Sequence, residues 1–259
     1  MLFTEVGFLD RFAAAARAGF RAVECQFPYP FETDDLAEQL QRNGLTLELH
    51  NLPAGDWANG DRGIACLPDR VGEFRDGVGR AIEYATRLKC PRLNCLSGLA
   101  PPEAEHDTLR ETLVENLRFA ARQLKDAGII LLVEPLNTRD HPGFFLRHAR
   151  QAIEIIEEVG ADNLRLQFDV YHMHVMEGDI VGAIHRSGGH MGHVQVADDP
   201  GRHEPGTGSI NFAAVFGALE RIGYDGWVGC EYVPSATTEE SLTWASLPAR
   251  DRAGDRGLP

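Results

Sequence analysis

Four oxygen-bearing side chains occupy one kind of place in this sequence, at or near the carboxyl end of a short apolar run. Glu134 closes the run at 129 to 133, and Asp169 stands near the end of LRLQFDVYH. Gln195 lies in GHVQVADD, and Glu231 lies in GWVGCEYVP. If these runs are parallel strands of one barrel, their carboxyl ends share a rim and the four side chains converge there. Three carboxylates and an amide oxygen make a hard, all-oxygen set, which suits Mg2+ or Mn2+ better than zinc with its preference for Cys and His. Without a cation, three converging carboxylates repel one another and at least one takes up a proton. The bland alternative is that these groups are separately solvated on loops. Recurrence of the same position in four runs weighs against it.

Other polar residues lie close to these ends. Residues two apart on a strand share a face, so Leu132, Gln167, His193 and Gly229 are expected one level below the four, inside the barrel. Arg202 and His203, in the charged, Gly- and Pro-rich stretch 195 to 211, could clamp an anionic group, since arginine offers a planar fork of donors to a carboxylate. A solvated loop charge is the competing reading for each. His172, three beyond Asp169, and His50, at the end of the run LTLELHN, are further candidates for touching substrate, against a reading of each as a satisfied structural histidine. The alternation that turns His50 inward also turns Glu48 inward, deep in the barrel, which leaves that register open. GTG at 206 to 208 is too short a pattern to specify a phosphate loop.

These side chains need a scaffold, and the chain alternates helical and strand-like runs. Helices are expected at 8 to 18, 33 to 43 with Thr33 as cap, 69 to 88, 106 to 127, 147 to 159, 179 to 187 and 211 to 222. Strands are expected at 20 to 27, 45 to 51, 92 to 96, 129 to 133, 164 to 172, 192 to 198 and 226 to 234. Five consecutive apolar residues before Glu134 read as a strand covered on both faces. Such alternation, in a chain of 259 residues, predicts one (β/α)8 barrel. The count, however, is seven strands, and Met1-Leu2-Phe3 is at most a stub of a first. Residues 51 to 68 form a long loop over the expected site, either a lid or an Ω-loop packed by Trp57. Residues 249 to 259 lack periodicity and read as a loose tail, leaving 1 to 248 as a single domain.

A formal charge of -14 opposes nucleic acid and anionic membrane as partners, because both require a basic face. The five cysteines include no CxxC pair and read as small hydrophobes in a reducing cytosol. No signal peptide or membrane-spanning apolar run is visible.

Beyond these patterns, HNLPAGDW, RGIACLP, EFRDGV, LVENLR, FDVYHMH, HEPGTGSIN and GWVGCEYVP closely resemble segments of the hydroxypyruvate isomerase family, a group of xylose-isomerase-like (β/α)8 TIM barrels. The resemblance runs from Phe3 to about Trp244. It implies a divalent metal, Mg2+ or Mn2+, held by Glu134, Asp169, Gln195 and Glu231, with Glu134 and Glu231 as the catalytic pair. It implies a small 2-oxo acid substrate, held by residues among His50, His172, Arg202 and His203, and leaves room for a homo-oligomer. The implied reaction interconverts hydroxypyruvate and tartronate semialdehyde through an enediolate. GRHEPGTG is shared with relatives that isomerise 2-oxo-tetronates, whereas HNLPAGDW looks more like the hydroxypyruvate enzymes. A metal-dependent endonuclease and a non-catalytic sugar-binding barrel are rival readings on the same fold. Family members supply a first strand upstream of the position of Met1, so that strand is expected to be missing here. The runs at 20 to 27 and 226 to 234 would border the gap, with Glu231 the least firmly held ligand. Adding a strand's worth of upstream residues should then raise melting temperature and activity together.

Overall fold

The structure is a computed structural model that describes residues 1–246, so the expected tail at 249 to 259 and the domain end at 248 lie outside the described residues. After helix α1 (Asp10–Arg17), strand β1 (Ala22–Cys25) leads to α2 (Thr33–Asn43), β2 (Thr46–Asn51), α3 (Val71–Leu88) and β3 (Arg92–Cys95). Then come α4 (His106–Asp126), β4 (Ile130–Val133), α5 (Ala149–Val159) and β5 (Leu164–Asp169). The chain continues through α6 (Val170–Glu177), α7 (Ile180–Ser187), β6 (Met191–Val196), α8 (Phe212–Arg221), β7 (Val228–Cys230) and α9 (Thr238–Ser241). The seven strands form one parallel sheet in sequence order, β1 to β7, as a barrel wall of βα units requires. Among the described residues β1 pairs only with β2, and β7 only with β6, so the wall stops short of closure between them.

The core lies between the sheet and the helices. On α4, Leu109, Leu113, Leu117, Ala120, Ala121 and Leu124 repeat at helical spacing and are buried in the same cluster as Leu131 and Val133 of β4. Leu132 is equally buried but belongs to the opposite face, inside the barrel, as strand alternation demands. Among the α3 glycines only Gly77 has a packing reason. A Cβ there would sit 3.3 Å from Pro53, whereas Gly72 and Gly79 have nothing within 4 Å.

Three local expectations need correction. Thr33 is the first residue of α2 and not its cap, because Glu32 is the last extended residue and makes no side-chain cap. The fifth strand stops at Asp169 and not at 172, since the Asp169 carboxylate accepts from Tyr171 N at 2.8 Å and so starts α6. The third concerns Glu48. Val23 pairs with Leu47 but Glu24 pairs with Leu49, so Glu48 is an extra residue and the alternation of β2 changes phase there. Leu49 and Asn51 line the interior cavity, while His50 turns to Tyr29, its ring edge-on at 5.7 Å. The discomfort of a buried Glu48 is met by Arg92, which pairs with it at 2.9 Å and donates through Nε to the Gly192 carbonyl at 3.1 Å.

A second bulge makes Gly192 the extra residue of β6, between the pairs Leu166 with Met191 and Gln167 with His193. A Cβ on Gly192 would lie 2.6 Å from Arg165 Cβ and 2.7 Å from Leu132 Cδ2. Gly192→Ala should therefore cost about 1–3 kcal/mol through overpacking, measured as a lower urea midpoint at unchanged slope. An unchanged midpoint would show that the bulge absorbs the methyl.

Candidate active site

Glu134 follows β4 directly, Glu231 follows β7 directly, Asp169 ends β5 and Gln195 lies one residue from the end of β6. Asp169 faces Gln195 across the β5–β6 pair. Asp169 divides its carboxylate. Oδ1 caps α6, and Oδ2 lies 3.4 Å from Arg202 Nη2 and 3.6 Å from His172 Nε2. The same Arg202 Nη2 donates to Glu231 Oε2 at 2.8 Å, so one guanidinium nitrogen bridges two of the acids. Glu134 Oε2 accepts from Asn94 at 2.8 Å, and Glu231 Oε1 accepts from Gln26 at 3.0 Å. Glu134, Asp169 and His172, all buried, each offer an atom within 4.8 Å of the others.

The electrostatics follow from this crowding. Burial, then the charges of Glu231 and Asp169, raise the Glu134 carboxyl well above its ordinary range, with Arg202 and Asn94 opposing. Burial also raises Asp169, against the pull of Arg202 and two backbone N–H groups. Burial and Arg202 push His172 well below its ordinary value, so its ring is neutral. Its Nδ1 receives Asn137 N at 3.2 Å, so the proton sits on Nε2 and faces Asp169. A protonated ring nitrogen does not bind a cation. The donors left are carboxylate and amide oxygens in negative excess, and that set fits a hard divalent cation better than zinc.

Arg202 enters the site because of its loop. It has φ 56°, a left-handed conformation that costs a non-glycine residue about 1–2 kcal/mol and is held from outside. The holder is Asp198, fully buried, whose carboxylate accepts from the backbone N of Asp199, Gly206, Gly208 and Ile210 at 2.8–3.0 Å. A Cβ on Gly208 would fall 2.3 Å from the Asp199 carbonyl. His203, the next residue, points away and bonds the Val233 carbonyl at 2.7 Å, tying the loop to the segment after β7. His50 also stands apart, for the bulge at Glu48 turns it out of the barrel. Of the four residues expected to touch substrate, Arg202 and His172 line the central cavity, which is continuous with a cleft that runs between α1 and α8 past β1 and β7.

That cavity also shows what the sequence reading passed over. Glu24 and Gln26, two apart on and just beyond β1, both face inward: Glu24 bonds His193 and Gln195, and Gln26 bonds Glu231. Their spacing in FRAVECQF carries the same signal as the other strand ends, one level lower. Asn94, a lone amide in RLNCL, links Glu134 to Asn51, and His141 lines the cavity 5.9 Å from the His172 ring. In the 51 to 68 loop, Trp57 lines the cavity beside Phe27, with the Arg62 guanidinium 4.3 Å above its ring. The later part is anchored by the Gly63–Ser97 bridge and by Asn116 donating to the Ala65 carbonyl. The five cysteines are free, and burial pushes the thiols of Cys66, Cys90 and Cys230 up to about 12. No helix among the described residues is long and apolar enough to cross a membrane.

A family model described as xylose isomerase-like TIM barrel matches residues 12–246. The chain belongs to that family. It is 50% identical over 244 residues to hydroxypyruvate isomerase of Escherichia coli, covering 94% of this chain and 95% of that one. It is 47% identical over 244 residues to 2-oxo-tetronate isomerase of Cupriavidus necator, covering 94% of each. Both relatives are isomerases by name, and the chain is an isomerase of this group. Among solved structures it matches one titled AP endonuclease, family 2, from Brucella melitensis, with a TM-score of 0.92, 45% identity and 95% of each chain covered. A D-psicose 3-epimerase from Clostridium cellulolyticum, at 21% identity and a TM-score of 0.73, shares the fold.

The outward turn of His50 has a measurable consequence. Burial lowers its pKa from 6.5 to about 4, so the folded state keeps it neutral. Above pH 6.5 this contribution is fully present; as pH falls toward 4 the unfolded chain binds a proton that the folded one refuses, and stability is lost. His50→Asn, which keeps a donor for the Asn51 carbonyl, should remove up to about 3 kcal/mol of the acid-side decline. Urea titrations of both proteins across that window test it, and parallel pH profiles would count against it.

Proposed function

We propose that this protein is a divalent-metal-dependent isomerase of small 2-oxo acids, interconverting hydroxypyruvate and tartronate semialdehyde. The observation that carries the reading is the buried set of acids, with Glu134 raised by Glu231 and Asp169, in a chain 50% identical to a hydroxypyruvate isomerase. Glu134, Asp169, Gln195 and Glu231 would hold Mg2+ or Mn2+, which when bound withdraws electron density from the substrate carbonyl and lowers the cost of an enediolate. One of the two glutamates removes a proton from C3, and a proton is returned to C2. The hydroxyl hydrogen moves from the C3 oxygen to the C2 oxygen, so the ketone becomes an aldehyde with no net change in composition. Burial and the charges of Glu231 and Asp169 raise the Glu134 carboxyl in the metal-free site, and a bound cation would offset that repulsion. His172 Nε2–H can donate to a substrate oxygen, and Arg202 carries the positive charge for the substrate carboxylate. A 2-oxo-tetronate is the second reading, supported by the 47% relative.

Assay on both substrates should show activity that a chelator abolishes and Mg2+ or Mn2+ restores. Turnover unaffected by exhaustive chelation would rule out the metal. Glu134→Gln and Glu231→Gln should each lower kcat by at least about 10²–10⁴-fold while the circular dichroism melt stays cooperative. Near-normal turnover in either variant would remove that residue from the acid–base pair.

A further inference from the structure

An amide ligand has a direction that a carboxylate lacks. Turned one way Gln195 offers an oxygen, and turned the other way it offers two N–H donors that no cation accepts. In this barrel the direction is set from below. Glu24 Oε1 lies 2.8 Å from Gln195 Nε2, and a carboxylate accepts only, so the nitrogen must face Glu24. Glu24 Oε2 in turn takes the His193 Nε2 proton at 2.7 Å. The Gln195 oxygen is left on the far side, where Gln167 Nε2 donates to one of its two lone pairs at 2.6 Å. The chain of donors ends at Gln167 Oε1, which is buried without a partner. Room for the acid is made by Gly229 on β7, where a Cβ would stand 2.5 Å from Glu24 Oε1.

We propose that Glu24 is a positioning residue that keeps the Gln195 amide nitrogen on its own side and so leaves the oxygen, beyond its bond from Gln167, as the atom offered to a cation, an inference that rests on the metal reading above. Replacement of the acid by its amide reverses the lock. With His193 still donating from Nε2, the new carbonyl of Glu24→Gln accepts from His193, the new NH2 faces Gln195, and Gln195 turns its oxygen to it. Its nitrogens then point the wrong way. The reciprocal change Gln195→Glu restores an acceptor on both sides, so the double variant keeps the charge and every hydrogen bond while exchanging the two groups.

Mn2+ affinity, read by electron paramagnetic resonance of free Mn2+ and by calorimetry without substrate, tests this in the full chain. Wild type is expected to bind, Glu24→Gln to lose about 10- to 100-fold in affinity, and the double variant to regain most of it. Undiminished binding by a folded Glu24→Gln, or a double variant no better than Glu24→Gln, overturns the role of Glu24 alone. A wild type that binds no Mn2+ overturns the metal reading and this inference together. Should Glu24→Gln fail to fold, the double variant decides: affinity near wild type supports the lock, and its loss refutes it.

Discussion

Like charges confined in one buried volume are the constraint on which the rest of this molecule depends. Glu134, Asp169 and Glu231 come from β4, β5 and β7, and each is stabilised by a different neighbour: Asn94 for the first, the N-terminus of α6 for the second, Gln26 for the third. Arg202 touches two of them. The strained backbone at Arg202 and the buried Asp198 that holds its loop belong to the same requirement.

Inside the barrel, two extra residues decide which side chains reach the interior. The bulge at Glu48 turns Asn51 inward and His50 outward, and the bulge at Gly192 sets Gln167 level with His193 and Asp169 level with Gln195. The bottom of the barrel is then crossed by the Glu48–Arg92 pair, and the next level by Glu24, His193, Gln195 and Gln167. The polar interior is layered, and most of these contacts are made within a layer.

Much of this was legible beforehand because it rests on periodicity. The α4 stripe, the double-sided burial of β4 and the return of a polar oxygen at successive strand ends are one-dimensional patterns with direct structural meaning. What escaped were events at single residues. A bulge adds one residue without any compositional mark, so alternation alone left the face of His50 open. Asp169 looks like a strand residue and acts as a helix cap, so the strand pattern runs on to 172 over the first three residues of α6. Glu24 sits mid-strand, where an acid's partners come from β6, about 170 positions away in the chain. Asp198 is indistinguishable in sequence from its neighbour Asp199, although one is wholly buried and the other half-buried.

The amides that Asp198 collects are no longer free to hold a ligand. A glycine-rich turn after a strand is where many barrels cradle a phosphoryl group, with backbone N–H groups pointing at its oxygens. Here the N–H groups of Gly206, Gly208 and Ile210 already point at a carboxylate of the chain's own. Those three groups are therefore taken, and the side-chain donor that this loop brings to the cavity is Arg202. The turn thus spends its backbone donors on its own shape, and through that shape on the placing of Arg202.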